Sequence, residues 1–235
     1  MTTRKRISLI ALLSIAVAGV ISPSAHAAAT RYITVSAQGT VKVVPDAVRI
    51  NATATSVAAT SKEALAATAK TATAVRAALK TAKIDTKDIA TQSVSVYPEY
   101  KYTNDGGSTL TGYRGSQSFT ITVRAADTAG SLVDALVTAG GDNLQINGAT
   151  PFVLDSTKSL EAARAAAVKS AKAKATSYAK LMSVKLGKVN YLVENSAPTN
   201  YTPVMAVAKA VSAATVIDLG QQDVSISVTV QWSLL

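Results

Sequence analysis

The chain has 235 residues, a formal net charge of +10 and no cysteine, and its one histidine is His26. With neither thiol nor imidazole beyond that position, it cannot form a Ser-His-Asp triad, a cysteine nucleophile or an ordinary zinc, copper or haem site there. We therefore expect no catalytic, metal-ligating or cofactor-binding residues of these kinds, and a fold stabilised by a conventional core rather than by disulfides.

Residues 1–27 have the pattern of a secretory signal peptide. Arg4, Lys5 and Arg6 precede an apolar run over residues 7–21, and Ala25 and Ala27 form an A-x-A cleavage site. The pattern predicts a mature domain over residues 28–235, exported to the periplasm, the cell envelope or the medium. Loss of three basic and no acidic residues lowers the formal charge to +7. A retained anchor is the alternative, although the run is shorter than the roughly 20 residues that span a bilayer.

Two strands are predicted next, over residues 33–44 and 48–55. Their apolar and polar residues alternate, which is typical of strands with one buried and one wet face. Pro45 and Asp46 lie between the strands and predict a turn that reverses the chain and pairs them. Gly39 predicts a bulge in the first strand.

A capping box formed by Thr60 and Glu63 predicts the start of the first helix. The helix ends near Lys83, and its apolar stripe consists of Leu65, Ala69, Ala72, Val75, Leu79 and Ala82. Asp85 and Asp88 follow the helix. We interpret both as turn and capping residues rather than as the paired carboxylates of a glycosidase.

The middle of the chain predicts a hairpin around residues 103–108. Its first strand contains Pro98, which indicates an edge strand or a bulge, and its second contains the alternating residues 118–125. The tyrosines that flank the hairpin are Tyr97, Tyr100, Tyr102 and Tyr113. We interpret them as cross-strand packing residues, with a sugar-stacking surface as the alternative.

Two more helices are predicted. One covers residues 128–139, buries Leu132 and Leu136, and is stopped by Gly140 and Gly141. The other is long, rich in alanine and lysine, and runs from about residue 155 to a point before Gly187. Its predicted buried stripe is Leu160, Ala163, Ala167, Ala171, Tyr178 and Met182, and the lysines interpreted as a solvated face are Lys158, Lys169, Lys172 and Lys180.

The last strand, over residues 224–234, has the clearest alternation in the chain, and residues 195–220 predict a long loop before it. The element order is β-β-α-β-β-α-β-α-β-loop-β. Two-sided strands favour an α+β fold, with three helices packed on a mostly antiparallel sheet, over a parallel α/β fold. No segment after the signal peptide approaches the length of a membrane span.

Several segments resemble the SIMPL-domain family, which includes periplasmic immunogenic proteins and kinase-interacting proteins. The residues that carry the resemblance are 33–36 with Gly39, Pro45 and Asp46, then 84–91, 97–100, 112–117, Phe152, 186–189 and the closing strand. Ala37 departs from the pattern, since many relatives have glycine there. The resemblance implies an α+β fold, export, and a link to stress or signalling. Some relatives form large ring-like or channel-like assemblies, and the resemblance carries over no catalytic residue.

Two functional hypotheses follow. The first is a non-enzymatic envelope protein that assembles into a homo-oligomer through exposed strand edges and apolar loop residues. The second is a monomeric binding module for an anionic envelope component or a protein partner, suggested by the formal charge of +7. No run of five basic residues occurs, and we expect no nucleic-acid partner.

Overall fold

The computed structural model describes residues 31–102, 106–195 and 214–235. The strands and helices in these residues are β1 Tyr32–Val43, β2 Ala47–Ala58, α1 Ser61–Thr81, β3 Ile89–Tyr102, β4 Ser108–Val123, α2 Ala129–Gly140, β5 Leu144–Phe152, α3 Thr157–Leu181, β6 Leu186–Glu194 and β7 Gln222–Leu234. Every strand pair is antiparallel, which confirms the predicted α+β class. The predicted signal peptide lies outside the described residues, as do residues 103–105 of the hairpin loop and 196–213 of the long loop.

The strands form two sheets rather than one. The three-stranded unit has the strand order β1-β7-β6, and α3 covers one face of it. The four-stranded unit has the order β3-β4-β2-β5, and α1 and α2 cover one face of it. Each unit has its own apolar core, because only the helix-covered face of each sheet carries the apolar half of the alternating pattern.

The predicted hairpin of the first two strands is wrong, because β1 and β2 lie in different sheets. β1 pairs with β7 along its whole length, from Tyr32 opposite Ser233 to Val43 opposite Gln222. β2 pairs with β4 and β5. The link between β1 and β2 crosses from one unit to the other, and the Asp46 carboxylate fixes it by accepting a hydrogen bond of 2.8 Å from the Leu154 amide.

The predicted bulge at Gly39 is also wrong, since the β1–β7 register runs through this residue without a shift. Gly39 instead lets α3 approach the sheet. A Cβ atom at this position would lie 2.2 Å from the Ala167 amide nitrogen and 2.3 Å from the Ala163 carbonyl oxygen. The small residue is therefore needed for close helix–sheet packing rather than for an unusual backbone conformation.

The start of α1 agrees with its sequence. The Thr60 side chain accepts a hydrogen bond from the Glu63 amide, and the Glu63 carboxylate accepts one from the Thr60 amide. The predicted stripe is correct at Ala72, Val75 and Leu79, but it is wrong at Leu65, Ala69 and Ala82, which are exposed. Small residues take the sheet-facing positions in the first turns, where Ala64 and Thr68 pack against Gly115 of β4.

The buried stripe of α3 also departs from the prediction near its end. The buried residues are Ala163, Ala167, Ala171, Ala175 and Ala179, and they repeat every four residues. Tyr178 and Met182 were predicted on this stripe but are about half exposed. Alanine at five successive contact positions lets the helix stay close to β1 and β7, so the larger side chains of its last turn are displaced from the interface.

The second helix confirms its predicted features. Leu132 and Leu136 are buried, and the helix ends at Gly140, followed by Gly141 with a φ of 53°. Residues 214–221 have neither helix nor strand, as predicted for this part of the long loop. They are fixed to α2 by Thr215, whose amide and hydroxyl donate hydrogen bonds of 3.1 and 2.5 Å to the Asp134 carboxylate.

Candidate interaction surface

The hairpin of β3 and β4 projects beyond the rest of its sheet. The last pair between β2 and β4 joins Ala58 to Tyr113, and residues 108–112 of β4 then pair only with residues 99–102 of β3. We call these two stretches the arm. An isolated two-stranded ribbon is only marginally stable in water, so the arm lacks the support that β2 gives to the rest of the hairpin.

One face of the arm carries large exposed apolar side chains. Tyr100 lies opposite Leu110, and Tyr102 lies opposite Ser108. Tyr100 and Leu110 are about half exposed, and Tyr102 is 77% exposed. Side chains directly opposite each other in an antiparallel pair lie on the same face of the ribbon, so this face presents a small apolar patch to solvent.

The strand register supports the cross-strand packing interpretation for only some of the four tyrosines. Tyr100 packs opposite Leu110 and Tyr113 opposite Pro98, as the packing interpretation predicts. Tyr97 lies opposite Arg114, however, and no tyrosine of the hairpin lies opposite another aromatic residue. Leu110, which completes the exposed patch, was missed in the sequence because only residues 118–125 of this strand were recognised.

The base of the arm is fixed by an ion pair between Glu99 and Arg114, each about one-third exposed. The hydrogen bond from the guanidinium to the Glu99 carboxylate raises the pKa of Arg114 above its ordinary value. Thr111 adds a hydrogen bond of 2.9 Å from its hydroxyl to the Glu99 carbonyl oxygen. These contacts connect the two strands at the point where the pairing with β2 ends.

Asp85 and Asp88 have different surroundings. Asp85 caps a short 3-10 turn over residues 86–88 by accepting a hydrogen bond from the Lys87 amide, which confirms its predicted role. Asp88 is buried and instead forms a two-pronged ion pair with Arg124, with N–O distances of 2.7 and 2.8 Å. Hydrogen bonds from Lys87 and Arg124 lower the pKa of Asp85 and Asp88 respectively. A general acid needs a raised pKa, so neither carboxyl group is suited to that role.

Replacing Asp88 by asparagine is expected to destabilise the protein at neutral pH and much less in acid. Because the pKa of Asp88 is lowered in the folded state, its stabilising effect is complete above the unfolded pKa. That effect is lost as the pH falls through the folded pKa. The Asp88→Asn variant should have a lower urea midpoint than the parent at pH 7 and nearly the same midpoint at about pH 2.

Asp142→Asn is the matched control, because Asp142 is exposed and forms no ion pair among the described residues. Its urea midpoint should follow that of the parent at both pH values. A destabilisation by Asp88→Asn that is equally large at both pH values would show that packing, rather than charge, is lost.

Three cavities surround Ile84, at the point where the chain leaves α1. Their volumes are about 480, 400 and 270 Å³. Alanine, threonine and leucine side chains of α1 and α2 line the largest one. The smallest one contains Asp85 and Asp88, whose carboxylates are paired with Lys87 and Arg124. Within the described residues, no cluster of three or more potential metal ligands occurs.

The long helix also presents a basic surface. The predicted solvated face is confirmed, since Lys158, Lys169, Lys172 and Lys180 are all exposed. Of the remaining basic residues of α3, Lys174 donates a hydrogen bond of 2.9 Å to the Ser36 carbonyl oxygen, and Arg164 forms an ion pair of 2.9 Å with Glu194. In the part of the chain that the structure describes, no helix is long and apolar enough to cross a membrane.

Comparison with known proteins identifies the family. A family model named SIMPL, described as a protein of unknown function (DUF541), matches residues 33–232, from β1 to β7. The chain belongs to the SIMPL family. The matched residues include strands and helices of both units. The family description gives no sign of a catalytic activity.

A relative from Edwardsiella ictaluri (strain 93-146) bears the name Uncharacterized protein YggE. It is 33% identical to this SIMPL chain over 117 residues, which are 47% of the chain and 47% of the relative. The chain thus aligns with about half the length of this curated relative. This similarity supports the family assignment and gives no indication of a substrate or a partner.

Proposed function

We propose that this SIMPL protein is an exported, non-enzymatic protein of the cell envelope that assembles with copies of itself through the arm. Export is supported by the basic residues, the apolar run and the A-x-A site of residues 1–27. The resemblance to periplasmic immunogenic proteins supports the same location. A role in stress or signalling is part of this proposal and is supported by the resemblance alone.

The observation that carries the assembly proposal is the exposed apolar face of the unsupported arm. Tyr100, Tyr102 and Leu110 are exposed on the part of the β3–β4 ribbon that extends beyond β2. Burying them against another molecule would remove apolar area from water, which is worth roughly 25 cal/mol per Å². It would also stabilise a ribbon that is marginal by itself.

The free edge of β3 makes a second copy a suitable partner. β3 is an outer strand of its sheet, and no other strand of the described residues covers its outer edge. Such an edge offers backbone amides and carbonyls in a row, so a strand from another chain can extend the sheet. Pro98 and the two register shifts in β3 limit this pairing to parts of the strand, which favours a defined assembly over indefinite growth.

Light scattering coupled to size exclusion tests the proposal. We expect the purified protein to form an oligomer, and the double variant Tyr100→Ser with Leu110→Ser to be monomeric at the same concentration. Each substitution removes exposed apolar side-chain surface that the assembly would bury. We expect the dissociation constant to rise at least about tenfold, which corresponds to the loss of 1.4 kcal/mol of binding free energy.

The control is the double variant Leu65→Ser with Val137→Ser. These side chains are exposed to a similar degree on α1 and α2, away from the arm. This variant should retain the oligomer. The assembly proposal is wrong if the parent remains a monomer up to about millimolar concentration, or if the control dissociates as readily as the arm variant.

The second candidate function is a monomeric module that binds an anionic envelope component or a protein partner. The exposed lysines of α3 favour it, because those on the predicted solvated face form no ion pair among the described residues. A monomeric parent that retains an envelope partner would favour this function over assembly.

A further inference from the structure

One end of the three-stranded unit combines exposed apolar and basic side chains. Leu181 and Met182 lie three and four residues after Tyr178, so both are neighbours of Tyr178 at the C-terminal end of α3. Leu181 is 78% exposed, and the other two are about half exposed. Tyr32, at the start of β1, is also exposed. Clusters of large exposed apolar side chains mark interaction sites in folded proteins.

Backbone hydrogen bonds place the basic residues at the same end. The Leu234 amide donates to the Arg31 carbonyl oxygen at 2.9 Å, and the Lys185 amide donates to the Leu235 carbonyl oxygen at 3.1 Å. The Val184 amide donates to the carbonyl oxygen of Ala179 in the last turn of α3. We call this surface the basic end, and it comprises Arg31, Tyr32, Tyr178, Lys180, Leu181, Met182, Lys185 and Lys188.

The basic residues of the basic end form no ion pair within the described protein. Residues 165–193 contain six lysines and no acidic residue. The acidic residues on either side of this stretch are Glu161 and Glu194. Glu161 precedes Lys180 by 19 residues, or nearly 30 Å along a helix, and Glu194 is paired with Arg164. At these distances salt screens most of the interaction, because the Debye length is about 10 Å at 0.1 M.

We propose that the basic end docks on the surface of a membrane that contains anionic phospholipid. The cations would lie over the lipid phosphates, and Leu181 and Met182 would enter the headgroup region. This combination of lysines around exposed apolar residues is the chemistry that binds proteins to the plane of an anionic membrane. A second copy is a poorer partner in a symmetric contact, because its own basic end carries the same positive charge.

The point at which the chain enters the fold agrees with an orientation in which the basic end faces the membrane. Arg31 directly follows the N-terminal segment, whose residues 7–21 form the apolar run of the predicted export signal. The chain therefore enters the fold at the basic end. A retained segment would therefore connect the fold to the membrane at this end.

Sedimentation with lipid vesicles tests the proposal. The full chain is used with the N-terminus that the producing cell leaves on it, identified by mass spectrometry, and all variants share that N-terminus. We expect binding to vesicles of equal parts phosphatidylglycerol and phosphatidylcholine, weaker binding as salt is raised, and little binding to phosphatidylcholine alone. Lys180→Glu with Lys185→Glu should weaken binding to the anionic vesicles at least about thirtyfold, since each lost lysine removes about 1 kcal/mol and the added glutamates are repelled by the surface.

Two control variants distinguish a contribution of the basic end from a general effect of charge or of exposed apolar surface. Lys158→Glu with Lys169→Glu makes the same change of charge elsewhere on α3 and should reduce binding much less. Leu181→Ser with Met182→Ser should weaken binding, whereas Leu65→Ser with Val137→Ser should not. Fluorescence of Trp232, the one tryptophan of the chain, reports whether each variant keeps the three-stranded unit folded.

The proposal is overturned if the folded protein does not bind anionic vesicles, or binds neutral vesicles equally well. It is also overturned if the two lysine pairs have equal effects. Loss of oligomers rather than of vesicle binding in the Leu181 and Met182 variant would show that another copy covers the basic end. These results are separate from the test of the arm, which measures assembly without lipid.

Discussion

Replacing Gly39 by valine is expected to unfold the three-stranded unit or to displace α3 from it. The first added carbon would lie 2.2 and 2.3 Å from backbone atoms of Ala167 and Ala163, and backbone atoms cannot rotate away as a side chain can. Overpacking in a core costs about 1–3 kcal/mol where side chains can adjust. Because the helix itself must move here, we expect a loss of at least about 3 kcal/mol in the free energy of unfolding.

Urea unfolding followed by Trp232 fluorescence measures this loss, because Trp232 packs in the core of the same unit. The matched control is Gly148→Val on β5, where an added Cβ would have no heavy atom within 4 Å. We expect that control to change the stability by less than about 0.5 kcal/mol. Equal midpoints for the two valine variants would contradict the close packing of α3 on β1.

Replacing Phe119 by alanine is expected to have the second large effect, on the four-stranded unit. Phe119 is the largest fully buried side chain, and it belongs to the core between β4 and the two helices. Removal of a buried phenylalanine costs about 3–5 kcal/mol, since both the buried apolar area and the packing around the cavity are lost. Far-UV circular dichroism during urea unfolding would record the lower midpoint.

Phe152→Ala serves as the control for this variant, because Phe152 is the only other phenylalanine and is only partly buried on β5. The Arg49 guanidinium lies 4.5 Å from the centre of its ring. We expect a loss of about 1 kcal/mol for this partly exposed contact. If Phe119→Ala were as mild as Phe152→Ala, the core assigned to the four-stranded unit would be incorrect.

Features specified by neighbouring residues were predictable from the sequence. The capping box of Thr60 and Glu63, the glycine stop at Gly140 and Gly141, and the two-sided pattern of β7 were all correct. Each depends on contacts within a few residues or on the repeat of a single element. The sequence therefore supported the α+β class and the order of the elements.

For the candidate surfaces, the sequence predicted the surroundings of single residues but not which residues lie together. The lysines of α3 were correctly expected on a solvated face, and Asp85 was correctly expected in a turn. The pairing of Asp88 with Arg124 joins residues 36 positions apart, and the exposed patch of Tyr100 with Leu110 depends on the strand register. Neither follows from a local pattern, because the partner is selected by how the sheet aligns.

The sequence by itself determined the type and order of the helices and strands, which faces of the strands are apolar, and which family the chain resembles. The tertiary structure decided which strands are neighbours, and it divided them between two units instead of one sheet. The physical reason is that an alternating strand can pair with any other alternating strand. Its actual partner is fixed by contacts between distant segments. One example in β1 and β7 is the side-chain hydrogen bond between Ser36 and Thr229, which are 193 positions apart.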